Sequence, residues 1–133
     1  MAEEQRNCEA GEAGECVLLG IAHQVGTRAP KDLPRAAALF ERACTLKDGF
    51  GCWQLGSALA RGAGRSKDEA AAVAAYEKGC ALDYVNACYD LGVSHQYGRG
   101  AARDLSLAKQ AFARACTLSK KPNGTGCEAA KRL

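Results

Sequence analysis

Eight cysteines, at positions 8, 16, 44, 52, 80, 88, 116 and 127, are the side chains best equipped to do chemistry in this chain. A thiolate can bind zinc, exchange disulfides or attack an electrophile. Zinc sites built on cysteine pairs favour roughly two to four intervening residues. Redox pairs favour about two. Here the members of a pair stand eight positions apart, or eleven in the last pair, so both chemistries fit poorly. A structural staple has no such spacing requirement.

Other residues invite a search for catalysis and yield less. "SLAK" places Ser106 and Lys109 one helical turn apart, the nucleophile-and-lysine spacing of serine β-lactamases. No S-D-N or K-T-G accompanies it, and neither residue recurs elsewhere in phase. His23 and His95 occupy equivalent contexts, "AHQVG" and "SHQYG", 72 residues apart. That distance disfavours joint metal binding and reads as packed or half-buried histidine. The "GAG" and "GRG" loops have no preceding strand and no G-K-[ST], so they are turns rather than phosphate cradles. Lys47, Lys78, Arg114 and Lys120 fall near helix ends, where cations favour the helix dipole. "NGT" at 123–125 matches a glycan acceptor and reads as a turn. These residues define no metal site and call for no cofactor.

The elements that position these side chains are repeats. The first cysteines of each pair, 8, 44, 80 and 116, advance by 36, as do 16, 52 and 88. The fourth second cysteine comes three residues late, after an insertion around "KKPN". Leu19, Leu55 and Leu91 keep the same period, each followed by Gly20, Gly56 or Gly92. So do Gly26, Gly62 and Gly98; Asp32, Asp68 and Asp104; Ala36, Ala72 and Ala108; and Phe40, Tyr76 and Phe112. A period of roughly 20 to 50 residues is the mark of a solenoid.

Each unit reads as two helices. Gly98 and its equivalents suit a helix C-cap, and Asp104 and its equivalents an N-cap. Pro34 fits a first helical turn. Gly92, inside a helix, predicts close packing there. First-type helices are predicted over 12–25, 49–61, 85–97 and 124–133, and second-type helices over 33–47, 68–82 and 104–119. The fold class is all-α: a right-handed αα-hairpin solenoid of about three and a half repeats, with units 8–43, 44–79, 80–115 and a partial 116–133. Residues 1–7 form a disordered or capping lead-in.

The first cysteine of a pair ends a second-type helix and the next begins the following first-type helix. Antiparallel neighbours bring such Cα atoms to roughly 5.5 Å, the separation a disulfide needs. The repeat therefore selects Cys8–Cys16, Cys44–Cys52, Cys80–Cys88 and Cys116–Cys127. Reduced structural thiols, or a metal or redox pair, stay open as alternatives. Closing a loop of about nine residues is worth roughly 2.5 kcal/mol in the chain-entropy model.

Composition narrows the class. The apolar fraction is 47% and the charged fraction 25%, ordinary for a folded soluble domain. A net charge of +3 is too small to argue for nucleic acid or an anionic membrane as partner, and neither is expected. No apolar run approaches the roughly 20 residues of a membrane span. The start, "MAEEQRNCEAG", lacks an apolar h-region and is no secretory leader as it stands. A removed leader, an excerpt of a longer array, or another route are the alternatives.

The period, the C-x7-C spacing, "GCWQLG", "ACYDLG" and "KGCALDYVNAC" resemble the cysteine-rich Sel-one-like repeat proteins of the Hcp type, relatives of the tetratricopeptide class. The resemblance covers residues 8–133. Arg28 departs from the glycine seen at Gly64 and Gly100, and His23, Leu59 and His95 replace a common tyrosine. The resemblance implies an extracytoplasmic, disulfide-bonded solenoid that binds proteins or peptides, secreted or periplasmic. Some bacterial members carry a penicillin-binding and weak β-lactamase description. A mitochondrial intermembrane-space respiratory assembly factor looks similar too.

With no convergent catalytic set, the expected function is non-catalytic binding of a protein or peptide by a monomer. First-type helices line the concave face of a two-helix solenoid. Positions two, six and nine after the second cysteine share one helix face: Leu18, Ala22, Val25; Gln54, Ala58, Arg61; Asp90, Ser94, Tyr97. They vary while their neighbours repeat, as in a surface tuned to one ligand or in exposed positions free to drift. The candidate binding residues are Trp53, Gln54, Arg61, Asp90, Ser94 and Tyr97, with Trp53, Arg61 and Tyr97 of the types that dominate binding energy.

Overall fold

The computed structural model describes residues 2–121 and 124–133. Asn123 of the glycan-acceptor triplet and Pro122 lie outside the described residues. Among the described residues the structure is eight α-helices and no strand. The first-type helices are α2 (Ala13–Val25), α4 (Gly49–Arg61), α6 (Val85–Tyr97) and α8 (Thr125–Arg132). The second-type helices are α3 (Leu33–Thr45), α5 (Glu69–Ala81) and α7 (Leu105–Ser119). A further helix, α1 (Ala2–Glu9), takes up most of the residues expected as a lead-in and occupies a second-type place before α2. Helices that are neighbours in sequence pack on one another along the stack.

The helix boundaries follow from local chemistry. Asp32, Asp68 and Asp104 each accept a hydrogen bond from the backbone N–H three residues on, at 3.0–3.1 Å. This satisfies one of the free donors at each helix start. Asp48 does the same for α4, accepting from Gly51 at 2.9 Å. At the other end Gly26, Gly62 and Gly98 cap α2, α4 and α6 with φ of 80°, 72° and 68°.

Between helices, glycine meets aromatic. A Cβ on Gly20 would stand 2.8 Å from the Phe40 ring, one on Gly56 2.5 Å from Tyr76, and one on Gly92 2.6 Å from Phe112. The ring of each second-type helix thus packs directly against the backbone of the first-type helix before it. The glycine's cost in helix propensity, about 1 kcal/mol, is set against burial of a large ring. Phe40 and Phe112 are almost fully buried, each contributing about 1.5–3 kcal/mol by area.

All four expected disulfides form, with Cα separations of 4.4–4.7 Å. Among the described residues, the turn inside each staple contains one residue in the left-handed region: Gly11, Lys47, Asp83 or Lys120. The departure at Arg28 also has a cause. Gly64 and Gly100 back directly onto the carbonyls of Leu33 and Glu69, in the first turn of the preceding second-type helix, and leave no room for a Cβ. Arg28 is not at positive φ, unlike those two glycines, and its side chain pairs with Glu4 of α1.

Candidate functional site

The first-type helices and the loops after them leave two clefts at equivalent places in successive units. One lies among α4, α5 and α6, has a volume of about 340 Å³, and is lined by Arg61, Glu69, Tyr76, Asp90, Ser94 and Arg99. The other lies one unit earlier, measures about 50 Å³, and is lined at equivalent positions by Leu33, Phe40, Gln54, Ala58 and Ala63. A repeat step of 36 maps Leu33 to Glu69, Phe40 to Tyr76, Gln54 to Asp90, Ala58 to Ser94 and Ala63 to Arg99. The same backbone scaffold carries two carboxylates, a lysine and two arginines in the larger copy, and glutamines, a serine and the shared Arg61 among small and apolar residues in the smaller one.

Asp90 is the centre of the polar cleft. Trp53 donates its indole N–H to Asp90 Oδ2 at 2.7 Å. The Trp53 ring is itself held against Phe50 and Tyr84, with centroids 5.9 and 5.6 Å away. Burial pushes the Asp90 carboxyl above the ordinary range, while the Trp53 hydrogen bond and the nearby Arg61 charge oppose that shift. Ser94 donates its hydroxyl to the Asp90 backbone oxygen at 3.0 Å and is buried. Tyr76 forms the floor. Burial pushes its phenol up, and a hydrogen bond with Ser57 opposes this.

Four of the six candidate binding residues therefore meet at one place: Trp53, Arg61, Asp90 and Ser94. Gln54 belongs to the smaller cleft, where it accepts from Gln24 Nε2 at 3.3 Å. Tyr97 stands outside, 61% exposed, with the Arg99 guanidinium 5.1 Å over its ring. The nine positions expected to share one face are not uniformly exposed. Ala22 and Ser94 are buried, whereas Leu18, Val25 and Tyr97 are largely open. The middle position is buried in the first and third triplets and half-buried, at Ala58, in the second.

Sequence reasoning missed Tyr76, Glu69 and Arg99, which come from a second-type helix and the loops. The signal was present as breaks in the period, tyrosine where the other units have phenylalanine and arginine where the preceding unit has Ala63. Ser106 and Lys109 both lie exposed in the first two turns of α7 and line neither cleft. His23 is buried and structural: Arg35 Nε donates to its Nε2 at 3.0 Å, so its Nδ1–H donates to the Pro30 carbonyl, also at 3.0 Å. His95 is half-buried. Arg114 caps the Cys80 staple, its Nε donating to the Cys80 carbonyl at 3.3 Å and its other arm pairing with Asp83.

A family model for the Sel1 repeat matches residues 16–48, 49–84 and 85–119. The chain belongs to the Sel1 repeat family. Among solved structures it resembles a Sel1 repeat protein from Oxalobacter formigenes, with a TM-score of 0.85 at 22% identity over 99% of this chain and 97% of that one. It also resembles cysteine rich protein B of Helicobacter pylori, with a TM-score of 0.73 at 26% identity over 99% of this chain and 90% of that one. A third likeness is c5321, a protective antigen of uropathogenic Escherichia coli with an SLR fold, at 0.79 and 21% identity; it covers 82% of this chain and 23% of that one. No curated protein sequence matches. These likenesses establish a Sel1-repeat scaffold of the kind that serves as a protein-interaction domain. Among the described residues no helix is long and apolar enough to cross a membrane, and the four disulfides are consistent with an oxidising, extracytoplasmic setting.

Proposed function

We propose that this chain is a non-catalytic binding scaffold that takes a protein or peptide segment into the polar cleft among α4, α5 and α6. The observation that supports it is the Trp53–Asp90 hydrogen bond at the cleft's centre. It fixes a desolvated carboxylate, at a cost, where the counterpart cleft has a neutral glutamine. A cost without a packing need suggests a ligand. The cleft volume, about 340 Å³, falls in the range of ligand sites and suits a side chain with its flanking backbone.

Panning a random peptide library against the oxidised protein tests this. Recovered peptides should lose binding to Ala60→Trp, which plugs the cleft, and keep it for Ser106→Ala. No recovered binder, or binders indifferent to the plug when melting shows both variants folded, would sink the proposal. Ser106 and Lys109 carry the hydrolytic alternative, and their exposure outside both clefts gives it little support. Incubation with a labelled penicillin should leave no acyl adduct. The compartment fits a secreted or periplasmic protein: alkylation before reduction should add no mass to the protein recovered from its source.

A further inference from the structure

The proposal above leaves the ligand's chemistry open; resting on it, we infer that the bound segment presents a carboxylate to Arg61 and Arg99. The cleft holds three cations, Arg61, Lys67 and Arg99, against two carboxylates, Glu69 and Asp90, one positive charge in excess. Both carboxylates are already engaged. Lys67 Nζ stands 3.4 Å from Glu69 Oε1, and Asp90 accepts from Trp53 at 2.7 Å. What remains uncommitted is guanidinium. Among the described residues neither Arg61 nor Arg99 is in an ion pair within 4.0 Å.

These arginines are not demanded by the scaffold. One unit earlier their positions are Val25 and Ala63, and the fold there has the same caps and staple. Arg99 is also pre-positioned. Its guanidinium lies 5.1 Å over the Tyr97 ring, which limits its freedom while leaving its N–H fork open. A guanidinium fork matches a carboxylate with two parallel hydrogen bonds, and two forks on one cleft select for that group over a neutral or cationic one. The carboxylate can come from an aspartate or glutamate side chain or from a peptide C-terminus, since both present the same two oxygens.

The test starts from peptides recovered by panning and binding the cleft. They should be enriched in Asp, Glu or a free C-terminus. Arg61→Met and Arg99→Met should each weaken them about tenfold, and high salt should weaken them further. Arg132→Ala, on exposed α8, should leave affinity unchanged. Each peptide is measured as free acid and as C-terminal amide, and with its acidic residues changed to the amide, which separates the two sources. Peptides blocked by Ala60→Trp but indifferent to both arginine variants and to carboxylate removal would overturn this inference and leave the binding proposal standing. Failure to recover any binder would remove both.

Discussion

The two clefts are built by the same repeat positions and differ in nearly every side chain that lines them. Beneath both, a glycine of a first-type helix receives an aromatic ring, Gly20 under Phe40 and Gly56 under Tyr76. Beside both, a glycine backs onto a carbonyl of the preceding helix, Gly64 on Leu33 and Gly100 on Glu69. The difference is confined to what projects inward: Phe40, Gln54, Ala58 and Ala63 in one, Tyr76, Asp90, Ser94 and Arg99 in the other. These glycine contacts recur in both units because the helices approach one another equally closely there. The inward side chains are free of that requirement, so they can differ from unit to unit.

The largest expected effect tests the shared part. Gly64→Ala and Gly100→Ala each force a side chain at φ near +80° against a backbone carbonyl that cannot move aside. Each should cost about 3 kcal/mol or more in urea unfolding, and by similar amounts, since the two clefts share the clamp. A large inequality between them would show that the units are not equivalent scaffolds. Arg28→Gly, in contrast, should lose only its exposed pair with Glu4, about 0.5 kcal/mol.

Exchanging the floor residues comes next. Tyr76 is 7% exposed with Ser57 as partner, whereas Phe40 is 2% exposed. The position equivalent to Ser57 in the earlier unit is Ile21, whose side chain offers no acceptor, and Gln24 and Gln54 of that cleft are bonded to each other. Phe40→Tyr should therefore cost about 1–3 kcal/mol for a stranded hydroxyl, and Tyr76→Phe only about 1 kcal/mol. Equal costs in thermal melts would contradict the assignment of a hydroxyl partner to one floor position and none to the other.

Asp90 allows a pH test of the same contrast. Its folded carboxyl lies above the usual range because of burial. Between the unfolded value and that raised value the folded chain binds more protons, so stability falls as pH rises through this window. Asp90→Asn keeps an acceptor for Trp53 and should remove that slope in denaturation curves taken upward from the ordinary carboxylate range. The variant should be at least as stable as the parent at neutral pH; a less stable one would mean the charge itself supports the fold. Glu41 carries the opposite sign: the Arg65 hydrogen bond lowers its carboxyl, so its small contribution fades as pH falls.

The smallest effect concerns the turns inside the staples. Lys47 adopts φ of 67° at the place where Gly11 stands in the first staple. Lys47→Gly relieves that conformation and should stabilise by up to about 1 kcal/mol, read as a raised melting temperature.

The helix boundaries, the caps at Asp32, Asp68 and Asp104, and the cysteine pairing were all legible as period. Gly11 three residues after Cys8 was a legible hint of the left-handed turn, easily passed over because lysine and aspartate occupy it elsewhere. Trp53 and Asp90 were legible as candidates by residue type, but not as partners, since they are 37 residues apart on different helices. Ser94 was legible as a varying position and not as a buried one.

By itself, then, the 36-residue recurrence determined the solenoid, its two helices per unit and its four staples. Each of these depends on contacts within a unit or with the next, and the same contact demands the same residue every time. Only the tertiary structure decided that Tyr76, Asp90, Arg99 and Arg61 face one another while Gln54 and Tyr97 stand aside. A cleft wall is assembled from three helices and a loop. Its burial and charge depend on how those elements curve around one another, and that leaves no periodic trace in the chain.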